Sequence, residues 1–171
     1  IAQCLVGSEM CIRDRQLNHL HEQKMPGKKA MLVISNGKST RASGALDRTM
    51  KELSLAGVEV VLFDKVGANP VKEIVEEGGH FAKKEGCDFI VALGGGSVMD
   101  AAKVMAMYAQ QPGDLWDYVA GATGKQQPLV NPVLPVIAIT TTAGTGSEVD
   151  QWGVVTNPCL LYTSDAADDL T

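Results

Sequence analysis

The chain has 171 residues, 45% of them hydrophobic and 20% charged, and a formal net charge of −5. That length holds one ordinary domain with a real core. The negative balance argues against nucleic acid or an anionic membrane as the main partner. No apolar stretch approaches the roughly 20 residues of a membrane span, and no segment has the order of a signal peptide, so a reducing cytoplasm is the expected compartment.

Residues 1–15 show no clear period, and residues 159–171 break from the pattern before them. Both are expected to be non-native tails, which leaves 16–158 as the folded unit, truncated at its C-terminal end. The four cysteines, Cys4, Cys11, Cys87 and Cys159, contain no C-x-x-C pair, so neither a zinc knuckle nor a redox pair is indicated. Cys87 reads as a small apolar group packed before a strand.

Between the tails, strands and helices alternate. Ala30–Ser35 is an apolar run of strand length. Residues 36–39 read as a turn and 41–56 as a helix, with Ala45, Leu46, Thr49, Met50 and Leu53 on one face and Gly57 at its end. Val58–Phe63 is a second strand. Asn69-Pro70 reads as a helix start, an N-cap followed by proline at the first position. The apolar positions Val71, Ile74, Val75, Gly78, Phe81 and Ala82 follow at helical spacing, and Gly86 closes that helix. Phe89–Leu93 is a third strand and Ser97–Gln110 a helix. Residues 112–132 form a loop with a short helical turn near 115–118. Val133–Thr140 is a fourth strand, and Val154-Val155-Thr156 a short fifth. Apolar strands separated by helices predict an α/β fold: a Rossmann-like, doubly wound parallel sheet covered on both faces.

In such sheets ligands bind beyond the C-terminal ends of the strands. Three loops are predicted there. In the first, Gly94-Gly95-Gly96-Ser97 joins a strand to a helix. Bare backbone and free N–H groups at a helix start suit phosphate. The run does not match the G-x-G-x-x-G fingerprint, since Met99 stands at the third glycine position. Ser97 reads as an N-cap. Asp100, three residues on, either closes a capping box or reaches a cofactor ribose. Lys103 reads as a partner of Asp100 across one turn.

In the second loop, Asn36-Gly37-Lys38-Ser39-Thr40 resembles the end of a phosphate-binding P-loop, but Leu32 stands where that motif needs its first glycine, so the P-loop reading is rejected. Lys38 and Ser39 suit an added phosphate, and the turn has no acidic residue for a free ribose 2′-hydroxyl, which favours NADP over NAD modestly. The third loop, Thr140–Glu148, interleaves small hydroxyl residues with glycine. His19, His21 and His80 have no metal-ligand spacing and read as surface residues.

Taken together, Asp64 to Pro70, GGGSVMDAAK and LPVIAITTTAGTGSEV occur in an order and spacing that resemble the N-terminal domain of the iron-containing (group III) alcohol dehydrogenases. The resemblance implies NAD(P)-dependent interconversion of alcohols with aldehydes or ketones. It implies that Gly94, Gly95, Gly96 and Ser97 hold the pyrophosphate and that Asp100 lies beside the ribose. Thr141, Thr142 and Thr145 would line the dinucleotide, with Ser147 a weaker candidate, and Gly37, Lys38 and Ser39 would face the adenosine ribose. The family's divalent iron sits on one Asp and three His in a helical C-terminal domain. That domain is absent here, so no catalytic or metal residue is assigned and the isolated chain is expected to be inactive. The resemblance leaves room for a homodimer. The rival readings are a polyol dehydrogenase of the same wider fold, a non-catalytic nucleotide-binding module and a flavodoxin-like phosphate binder.

Overall fold

The computed structural model describes residues 17–120, 123–142, 144–150 and 152–159. The tail segment 1–15 and, apart from Cys159, the segment 159–171 lie outside these residues, as do Cys4 and Cys11.

The described residues form a sheet of β1 (Lys29–Ser35), β2 (Glu59–Val66), β3 (Phe89–Gly94) and β4 (Val136–Thr140) in the order β2-β1-β3-β4. All three pairings are parallel, with Val33 opposite Phe63 and Ala92, and Gly94 opposite Thr140. The connections carry α1 (Ser39–Ala42), α2 (Ala45–Leu55), α3 (Lys72–Glu85) and α4 (Gly96–Tyr108), preceded by a 3-10 turn at Leu17–Glu22 and followed by another at Leu115–Asp117.

Strand alternation sorts the core into two layers. Met31, Val33, Ile90, Ala92, Val136 and Ala138 face α3 and α4, packing on Val75, Ala82, Val98, Ala102 and Met105. Leu32, Ile34, Val91, Leu93, Ile137 and Ile139 face the other way, onto Leu20, Ala45, Leu46 and Leu53. β3 is buried along its whole length because both of its edges are paired and both of its faces are covered. Truncating a fully buried Leu or Phe in such a layer costs about 2–5 kcal/mol.

Several boundaries differ from the sequence reading. The single helix predicted over 41–56 is two, broken at Ser43-Gly44, because Gly44 takes φ +72° in the left-handed region. Met50, assigned to the buried face, is exposed, while Glu52 is buried. Asn69-Pro70 does not start α3. The helix begins at Lys72, because Val71 is held extended by a parallel bridge to Thr156. Lys72 N–H donates to the Thr156 carbonyl and Thr156 N–H to the Pro70 carbonyl, both at 2.9 Å. That bridge is all that forms of the predicted fifth strand, since Val154 and Val155 pair with no strand. β4 starts at Val136, after Pro135, rather than at Val133. No helix among the described residues is long and apolar enough to cross a membrane.

Candidate functional site

The chain leaves β1 toward β2 on one side of the sheet and returns to β3 on the other, so the strand order reverses between β1 and β3. At such a reversal the loops beyond the strand ends diverge to opposite faces and open a crevice. Because all four strands are parallel, the loops after Ser35, Gly94 and Thr140 lie at one edge of the sheet. Those are the three loops expected from the sequence to face a ligand.

The glycine run is divided among three roles. Gly94 is the last residue of β3, Gly95 is the residue before α4 and Gly96 is its first residue. None of the three has positive φ, and Gly95 is extended at φ −93°, ψ −170°. Close packing, rather than a left-handed turn, is what constrains them, most tightly at Gly94. A Cβ on Gly94 would lie 2.7 Å from Val98 Cγ2, one on Gly95 2.9 Å from Thr142 Oγ1, and one on Gly96 3.4 Å from Thr145 Cβ. Two of the three bare positions thus receive the third loop.

Ser97 is not the N-cap it was expected to be, since Gly95 occupies that place. The β3-to-α4 turn is one residue tighter than the cap reading required, so Ser97 falls inside the first turn and its hydroxyl donates to the Ala68 carbonyl after β2. The Ser97–Asp100 capping box therefore does not form. Asp100 points one turn forward, 3.3 Å from the Lys103 ammonium. The first N–H groups of α4 have no partners within the helix and stand at the positive end of its dipole, which is the electrostatic condition for holding an anion there.

The third loop is anchored to the same turn. Thr141 N–H donates to the Gly94 carbonyl at 2.8 Å, and Thr140 Oγ1 to the Thr142 carbonyl at 2.7 Å. Gly144 and Gly146 take φ +89° and +71°, a conformation that favours glycine over any residue with a Cβ. They fold the loop back over α4, bringing Ser147 Oγ within 3.5 Å of the position a Gly96 Cβ would take. Thr141, Thr142 and Thr145 are exposed at the rim, and Ser147 is half-buried.

The second loop lies at the neighbouring strand end. Gly37, Lys38 and Ser39 are exposed, and Asn36 N–H donates to the Val66 carbonyl at the end of β2 at 2.9 Å. Close by, Arg41 Nη2 donates to Asp64 Oδ2 at 2.6 Å, a pairing that sequence spacing did not reveal. Lys103 makes the pair with Asp100 that its spacing indicated, but its distant partners were not legible in the sequence. Its side chain is 8% exposed, and its ammonium donates to Asp150 Oδ1 at 2.7 Å, to the Ser147 carbonyl at 3.1 Å and to the Trp152 carbonyl, besides its pairing with Asp100. The Lys103 ammonium holds the Asp150 carboxyl below its ordinary range.

A separate cavity of about 410 Å³ opens beside the far part of α4, lined by Val104, Met107, Tyr118, Leu129, Val133 and Trp152 among others. None of the glycine-turn residues reaches it, and its lining is mainly apolar, with Lys103 and Gln127 as its polar members. Among the described residues no group of three or more His, Cys, Asp and Glu is placed to hold a metal ion. The described residues therefore do not fit an iron site. His21 instead bonds Glu52 at 2.6 Å, and His80 packs edge-on against Tyr108.

The sheet order, with helices on both faces, defines a doubly wound parallel α/β domain with an anion-suited turn at its reversal. The family model described as iron-containing alcohol dehydrogenase matches residues 8–160, and the chain belongs to that family. A choline dehydrogenase of Bacillus subtilis is 48% identical over 129 residues, 75% of this chain and 31% of its own length. The crystal structure of an alcohol dehydrogenase from an archaeal halo-thermophile of a Red Sea brine pool superposes with a TM-score of 0.77 at 40% identity, covering 83% of this chain and 36% of that one. The sulfoacetaldehyde reductase of Bifidobacterium kashiwanohense, solved in complex with NAD+, gives 0.72 at 30% identity, covering 85% and 37%. The chain thus spans about a third of the length of the relatives it matches.

Proposed function

We propose that this chain is the cofactor-binding part of an NAD(P)-dependent alcohol dehydrogenase that interconverts alcohols with aldehydes or ketones. The observation that carries the reading is the junction at the β1/β3 reversal, where the Gly94–Ser97 turn and the Thr141–Ser147 loop are fitted to each other over the start of α4. Gly94, Gly95, Gly96 and Ser97 would receive the pyrophosphate through backbone N–H groups. Thr141, Thr142, Thr145 and Ser147 would supply hydroxyl and backbone donors along the rim. Asp100 would lie beside the ribose, although the Lys103 ammonium already engages it.

Gly37, Lys38 and Ser39 would meet the adenosine ribose. Lys38 suits a 2′-phosphate, and the Asp64 carboxylate near the end of β2 is engaged by Arg41, so NADP is favoured slightly over NAD. When bound, the nicotinamide would take or give the hydride, while the protein's part is to hold and orient it. Among the described residues no donor set is placed for the family's iron, and this chain alone is expected not to turn over alcohol.

Titrating the purified chain with NADPH, NADH and FMN tests the reading. Binding of the two nicotinamide nucleotides, with NADPH at least as tight as NADH, is expected. Binding of FMN alone would sink it, and iron-dependent alcohol oxidation by the chain would overturn the expected inactivity.

A further inference from the structure

We infer that Lys103 is a positioning residue, the rear anchor that holds the 141–150 loop over the glycine turn. The inference rests on that turn being the cofactor site. Lys103 lies in the second turn of α4, so its sequence spacing suggests only the local pair with Asp100. Its other three partners, however, are 44, 47 and 49 residues downstream: the Ser147 carbonyl, the Asp150 carboxylate and the Trp152 carbonyl. A buried ammonium is strongly disfavoured unless it is paired and its donors are used. This one has three donors and four oxygens around it, two of them anionic, so it is fully satisfied only while Ser147, Asp150 and Trp152 stay in place.

The loop therefore has two fixed ends. At the front, Thr141 N–H bonds the Gly94 carbonyl at 2.8 Å. At the rear stands Lys103, beside Gly153, where a Cβ would lie 2.8 Å from the Asp100 carbonyl oxygen. Both ends are attached to the β3–α4 unit that carries the anion-suited turn. Between them the backbone passes through the left-handed Gly144 and Gly146, which leave it many alternative paths when unanchored. With the rear released, the rim threonines would have to be ordered when the nucleotide binds, and that ordering cost would appear as weaker affinity.

The test compares the chain with K103M and with D150N. Methionine nearly matches lysine in length and suits the surrounding apolar wall of Met99, Val136 and Ala138, but it leaves both carboxylates and both carbonyls without the ammonium. Hydrogen exchange is read at Val149 and Trp152, whose N–H groups bond Gly146 and Asp150, and at β1 and β3 as internal controls. NADH and NADPH are titrated in parallel. In K103M, exchange at Val149 and Trp152 should rise at least tenfold, β1 and β3 should stay as protected as in the parent, and nucleotide Kd should rise about tenfold. D150N, altered at a half-exposed partner, should give a smaller change of the same kind, and it carries the test if K103M fails to fold.

Unchanged exchange at 149–152, loss spread equally into β1 and β3, or a loosened loop with unchanged Kd would each overturn the inference. If the parent binds neither nucleotide, the cofactor reading falls and the positioning role falls with it. Local loss of protection in K103M would then show an anchor that serves the loop alone.

Discussion

Gly94 and Gly95 are adjacent and both bare, yet the structure assigns them different costs of substitution. A Cβ on Gly94 would sit 2.7 Å from Cγ2 and 2.8 Å from Cβ of Val98. Val98 is buried, and no rotation about χ1 can move its Cβ, so backbone or helix must shift. Overpacking of this kind costs about 1–3 kcal/mol. On Gly95 the nearest atom is Thr142 Oγ1 at 2.9 Å, the tip of an exposed side chain that can swing to solvent, and the extended backbone there suits alanine. What remains for Gly95→Ala is a small N-cap loss, below about 1 kcal/mol. Urea unfolding followed by circular dichroism should therefore rank the parent at or slightly above G95A, and G95A well above G94A. The melting temperature of G94A should fall by roughly 2–12 °C at 2–4 °C per kcal/mol for a chain of this size. Adding V98A removes both γ-methyls but leaves the Cβ contact, so the pair should be less destabilised than the sum of its single changes by about 1 kcal/mol. G95A should lose nucleotide affinity instead, because Thr142 leaves the rim. A G94A chain as stable as the parent, or no coupling between G94A and V98A, would refute the packing argument.

Two further predictions concern titrating groups. Burial pushes the Cys87 thiol up to about 11 from its ordinary 9.0, so iodoacetamide at pH 8 should label the exposed Cys159 and spare Cys87 until urea is added; equal labelling rates in peptide maps would contradict this. Because the unfolded thiol ionises first as pH rises, folding stability should decline above pH 9, and C87A should flatten that slope. Burial raises the Glu52 carboxyl, but its hydrogen bonds from the His21 ring and backbone outweigh this and hold it below its ordinary 4.5. A depressed carboxyl contributes stability above pH 4.5 that is lost as pH falls below it. The urea midpoint of E52Q should therefore drop less between pH 7 and pH 4 than that of the parent, and parallel drops would show that the pair does not matter.

The strands were legible because each is a short apolar run buried on both faces, a pattern that needs no knowledge of its neighbours. Their ends were harder to place. Asn69-Pro70 has the local chemistry of a helix start, but Thr156, far along the chain, holds Val71 extended and delays α3 to Lys72. Ser97 has the local chemistry of a cap, but the turn after β3 closes one residue earlier, and its hydroxyl goes to Ala68. Lys103 looked local because one of its four partners is local. At Asn69-Pro70 and Ser97 a long-range partner overrode the local preference, whereas at Lys103 the local pair forms and three distant partners join it.

The glycine run shows the same principle at the site. Three glycines after a strand suggest a backbone opened for a ligand, yet the atoms nearest the missing side chains of Gly95 and Gly96 belong to Thr142 and Thr145. The first constraint on those two positions is therefore the chain's own loop. The two motifs form one joint: the glycines let the threonine loop close, the loop closes because Gly144 and Gly146 turn it, and Lys103 keeps it closed. Any phosphate held at the start of α4 then meets a surface built by both. An added side chain on either half should disturb the other, which is why GGGS and TTAGTGS point to the family together when neither does so alone.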